Sequence, residues 1–152
     1  MQAEQLFTHF FRTLGLSTLA FNAQGCARVI FDGKVAVDLE HDPASGELHL
    51  RSDLGPLPAS GAEALYFSLL QANLQGQQTL GATLAVDEVE CQIVLNRTLL
   101  LREFGPDDLL DVMQRFCASA GYWRQTLGDL PQTPSQSAAD APAPAFGSFL
   151  RV

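Results

Sequence analysis

The sequence predicts an α+β domain: one helix, a mostly antiparallel twisted sheet of five to six strands, and two further helices packed on it, assembled as a homodimer. Three observations lead there. The apolar period switches from helical to two and back again, twice along the chain. Short turn signals, "DGK" at residues 32–34 and "PASG" at 43–46, separate the period-two runs by hairpin distances, which makes those strands antiparallel. Finally, "SGAEALYFSLLQANLQG" at residues 60–76 reads as a helix that is apolar on more than one face.

In order along the chain, Leu6, Phe7, Phe10, Phe11 and Leu14 share one face of a first helix, with Gly15 as its stop. Residues 19–31 give a strand, a turn at 22–25, and a second strand ending at Phe31. In the next strand Val35, Val37 and Leu39 point one way, and Asp38 and Glu40 the other. After the turn at 43–46, Leu48 and Leu50 point inward, and Glu47, His49 and Arg51 outward. "LGPLPAS" then breaks the sheet and leads into the second helix, which Ser60 caps with Glu63 three residues on. Two strands follow, near 79–86 and 89–100, around the acidic turn "DEVE". Pro106, Asp107 and Asp108 suit the start of a last helix. Its stripe is Leu109, Val112, Met113, Phe116, Ala120, Trp123 and Leu127, and Gly128 ends it. The domain therefore spans 1–128. Residues 129–152 form a Pro/Ala/Ser-rich tail, expected to be extended or disordered, that turns apolar again at "FGSFLRV".

Composition narrows the function. The net charge of −8 disfavours nucleic acid and anionic membrane surfaces, both of which need Lys and Arg. Charged residues are 17% of the chain, below the usual ~25%, so a partner is expected to cover part of the surface. No run approaches the ~20 apolar residues of a membrane span, and the Glu4-bearing start does not read as a secretion signal, which places the protein in a cytoplasm. Cys26, Cys91 and Cys117 are widely spaced and odd in number, and read as small buried residues in a reducing compartment.

No active site, metal site or cofactor site emerges. His9 has no ligand partner one turn on. His41, His49 and Asp42 flank one turn, but the ligand count is short. Asp107, Asp108 and Asp111 read as helix-start acids, and Asp87, Glu88 and Glu90 as a solvated turn. "GPLPASG" lacks the Lys of a phosphate loop, and Cys117 lacks a local base. The aromatic pairs Phe10–Phe11 and Tyr122–Trp123 read as core, or else as exposed patches that bind a protein. A chain this short has little to lay over a second apolar helix face, so the second helix is expected to meet its twin at a two-fold axis. Gln71, Asn73 and Gln75 would set the register, unless the tail or the last helix covers that face instead.

The arrangement resembles the class I type III secretion chaperones of Gram-negative bacteria, the Tir-chaperone-like family, over residues 6–127. The likeness rests on the first helix followed by "LGLSTLAFNAQGCARVIFDGKVAVDL", on "LHLRSDLGPLP" running into "LYFSLLQANLQG", and on the late hairpin before "DDLLDVMQRFCASAGYW". The resemblance implies a cytoplasmic homodimer without enzymatic activity. It implies binding of the N-terminal segment of a secreted effector in extended form, which keeps the effector soluble and secretion-competent. The family's second helix makes the dimer contact, which here maps onto Leu65, Tyr66, Phe67, Leu69, Leu70, Asn73 and Leu74. Its first helix and adjacent strands form the effector groove, drawing on Phe7, Phe11, Leu19, Phe21 and Val29. Regulatory members also bind an anti-activator and couple secretion to transcription, and the closing "YWRQTL" is loosely similar to theirs.

Overall fold

The computed structural model describes residues 3–16 and 18–129. Ser17 and nearly all of the expected tail, from residue 130 on, lie outside the described residues. The element order is α1 (Ala3–Thr13), β1 (Cys26–Phe31), β2 (Val35–Asp42), β3 (Glu47–Pro56), α2 (Glu63–Asn73), β4 (Thr83–Asp87), β5 (Gln92–Leu100) and α3 (Pro106–Gly128). The five strands form one antiparallel sheet in the order β1-β2-β3-β5-β4.

Local chemistry sets the ends of these elements. Gly15, at φ 72°, closes α1: its N–H reaches the Arg12 carbonyl, and the Leu16 N–H reaches Phe11. This pair of bonds is the Schellman termination, which needs a left-handed residue. Asp32 and Gly33 both carry positive φ in the three-residue β1–β2 connection 32–34, where the Lys34 N–H closes a tight turn on the Phe31 carbonyl. Pro106 opens α3, and the Asp108 carboxylate accepts the Gly105 N–H at 2.9 Å.

Helices α1 and α3 cover one face of the sheet. Val37, Leu39, Leu48, Leu50, Leu95 and Leu99 from the strands meet Leu6, Phe10, Leu109, Met113, Phe116 and Ala120, all essentially excluded from water. The other face is polar. Arg28 and Asp38 form a two-pronged ion pair at 2.5 and 2.7 Å, and Arg51 bridges Asp53 and Asp87. Helix α2 lies beside β4 at the end of the sheet. Its Asn73 amide donates to the Leu84 carbonyl at 2.9 Å and accepts the Leu84 N–H at 2.8 Å.

Several expected boundaries move. Residues 19–22 are not a strand: the Asn22 side chain takes the N–H groups of Gln24 and Cys26, so the turn closes on itself, and three strands precede α2. Ser60 does not cap α2, because Gly61 turns the chain at φ 68° and the helix starts from Ala62. Strand β4 starts at Thr83 because Thr79 is buried in a turn, its hydroxyl donating to the Ala82 carbonyl at 2.6 Å. The acidic turn extends through Cys91, with the Asp87 carboxylate accepting the N–H groups of Val89 and Glu90.

Candidate functional site

An apolar cleft of about 260 Å³ opens between α1 and the irregular segment that follows it. Phe7 and Phe11, one turn apart on α1, form its floor, and Leu19, Ala20 and Phe21 form the opposite wall. Glu4, Thr8 and Arg12 line its rim from the next helical row. The aromatic rings are packed: Phe21 lies 4.7 Å from Phe7 and 5.7 Å from Phe11, centroid to centroid. His41 stands edge-on to Phe7 at 5.0 Å. Phe7 and Phe11 are buried, whereas Leu19 and Phe21 are half-exposed. The wall therefore still meets water, which favours covering it with further apolar surface.

Four of the five residues expected to form a groove converge here. Val29 does not: it is buried in the core on β1, packed beneath the helices. The rim residues Glu4, Thr8 and Arg12 went unread in the sequence, although they form the helical row next to the one that brings Phe7 and Phe11 together. His41 carried no such signal, because only the register of β2 in the sheet brings it to the rings.

A second apolar surface lies on α2. Phe67, Leu70 and Leu74 form a stripe at i, i+3 and i+7, exposed to 69%, 72% and 71%. Leu65 and Tyr66 flank it and are half-buried. Two residues expected on that surface face the other way. Leu69 is buried in the chain's own core, and both polar atoms of the Asn73 amide are bonded to Leu84. Gln71 and Gln75 remain exposed. The helix is thus apolar on two faces, one satisfied within the chain and one bare.

The match to known proteins follows the same outline. A family model described as the Tir chaperone protein (CesT) family matches residues 5–124. The chain belongs to the CesT family. It is 30% identical over 130 residues to the Chlamydia pneumoniae protein CPj0713/CpB0740, covering 84% of this chain and 95% of that one. Among solved structures the CesT fold recurs in the HopA1–SchA chaperone–effector complex, with a TM-score of 0.68 and 23% identity over 80% of this chain and 92% of that one. It recurs in the ExsC–ExsE complex, with a TM-score of 0.67, 20% identity, and 81% and 91% coverage. The Yersinia pestis type III secretion chaperone SycH, solved with a fragment of YscM2, gives 0.62, 21%, 78% and 97%. The chain is a member of a type III secretion chaperone family.

The residues weighed for other chemistry diverge in this CesT-family chain. Glu40, not His41, pairs with His49, so the two histidines sit on opposite faces of the sheet. His49 Nδ1 meets the Thr98 hydroxyl at 3.0 Å, and Asp42 accepts the Ala44 N–H and the Ser45 hydroxyl. Burial pushes the Cys117 thiol up to about 12, with the Asp32 carboxylate adding to the shift, far from the thiolate a nucleophile needs. Among the described residues no group of three or more His, Cys, Asp or Glu is placed to hold a metal, and no helix is long and apolar enough to cross a membrane.

Proposed function

We propose that this protein is a secretion chaperone that holds the N-terminal segment of a secreted effector in extended form. The reading rests on one observation above the rest: in a chain of this family, the cleft beside α1 presents the apolar, half-exposed Leu19 and Phe21 over a floor of phenylalanine rings. An unfolded effector segment would lay alternate apolar side chains on that wall, and its backbone would gain bonds at an open sheet edge. The chaperone's net charge of −8 would keep the complex soluble. In this reading the protein works in the cytoplasm of a Gram-negative bacterium, has no catalytic activity, and dimerises through Leu65, Tyr66, Phe67, Leu70 and Leu74 of α2.

Co-expression with candidate effectors tests the reading. An otherwise insoluble effector should become soluble with the wild type. It should remain insoluble with a Phe21→Asp variant whose circular dichroism matches wild type. A Phe21→Asp chain that solubilises as well as wild type would remove the cleft from the site. Recovery of a non-secreted anti-activator from the native cytoplasm, with no secreted protein, would assign the regulatory role instead.

A further inference from the structure

Residues 131–145 contain four prolines and no large apolar side chain, yet Phe146, Phe149, Leu150 and Val152 fall within the next seven residues. A polar spacer followed by an apolar anchor has the composition of a tethered ligand, and the described part of the chain carries a cleft of matching chemistry. We propose that residues 146–151 dock in the cleft formed by Phe7, Phe11, Leu19 and Phe21 of their own chain, occupying it until a longer apolar segment displaces them.

Three features support this occupant. The first is reach. Near its end α3 touches the β1–β2 turn, through Arg124 to the Lys34 carbonyl and through Gly121 against Val35. The cleft lies at the other end of β2, where His41 meets Phe7. Six residues of strand separate the two places, about 20 Å. Residues 129–146 can span about 50 Å even as a proline-rich chain, so the anchor reaches without strain. The second is charge. Arg151 is the anchor's one charged side chain, and the rim of the cleft carries Glu4 at one end of the α1 row and Arg12 at the other. That polarity sets the direction, with Arg151 beside Glu4 and Phe146 toward Arg12. The third is concentration. A short tether holds its ligand at roughly millimolar effective concentration, enough for a weak apolar contact to be populated. Docking would keep the half-exposed wall out of water in the absence of a partner.

The inference borrows from the proposed function only the idea that this cleft takes an apolar segment, and it is tested with no effector present. Hydrogen exchange of the full chain is compared with that of the full chain carrying Phe146→Ser, Phe149→Ser and Leu150→Ser. Amides of residues 18–22 should exchange about threefold faster or more in the variant, with α3 unchanged. A photo-crosslinking residue at Thr8 should join residues 146–152 of the same chain, and Glu4→Arg should reduce that yield. Equal exchange in the two chains, or crosslinks found only between chains, overturns the inference. Either result leaves solubilisation of an effector to be decided by co-expression, so the two readings fail separately.

Discussion

At the residue scale, the side chains that matter most are polar groups doing backbone work. Asn73 supplies Leu84 with both a donor and an acceptor, as a neighbouring strand would. Asn73→Leu keeps the branched shape and removes both bonds, and should cost about 1–3 kcal/mol in urea unfolding. Asp87 has a related role at the β4–β5 turn. Its acceptor bonds from the Glu90 N–H and from Arg51, aided by the Val89 N–H, hold its carboxyl below its ordinary value of 3.8. A carboxyl depressed on folding stabilises the native state above its unfolded pKa, and that stabilisation is lost as pH falls through the folded value. Asp87→Asn should therefore be less stable than wild type at pH 7, and the gap should close on acidification below the ordinary carboxylate range. A gap unchanged in acid would mean that the turn, not the charge, is what the substitution disturbs. Neither role was legible in the sequence. Asn73 looked like a polar contact for a twin and Asp87 like a solvated turn acid, because the sheet order that brings Leu84 and Arg51 to them is a long-range fact.

At the element scale, α2 carries the contrast. Its buried row holds Leu69 and Ala72, and its bare row Phe67, Leu70 and Leu74. Leu69→Ala should destabilise the subunit by about 2–5 kcal/mol, as large-to-small changes in packed cores do. Leu70→Glu should leave the subunit folded and shift sedimentation from dimer to monomer at micromolar concentration. A Leu70→Glu chain that stays dimeric would move the interface away from α2. The two faces of this helix were legible as excess apolarity, but their assignment was not. Sequence spacing gives the angle between Leu69 and Leu70 around the helix, and says nothing about which of them the sheet lies under. The same limit explains Val29. The family resemblance assigns it to the groove, and only the position of the helices over the sheet shows that it is covered.

At the scale of the whole molecule, the element order, the antiparallel sheet and the stripe of α3 follow from period and turn signals. The strand ends do not, since they depend on which polar side chain captures a free N–H. If the bare face of α2 is covered only by association, folding and dimerisation are linked. The melting temperature should then rise with protein concentration, by mass action on the native state alone. A melting temperature constant over a hundredfold range of concentration would speak for a stable monomer.

The Asn73–Leu84 contact also gives the sheet a direction. The amide interrupts the outer edge of β4 at Leu84. Along the outer edge of β1, among the described residues, one backbone bond is made, from the Asn22 N–H to the Cys26 carbonyl. The sheet is stoppered at one end and unfinished at the other. Any strand donated by another chain would find a free hydrogen-bonding row at β1, with three strands between it and the β4 end that α2 guards. Strand addition at β1 and association through the α2 stripe would therefore proceed from opposite ends of the subunit, without one obstructing the other.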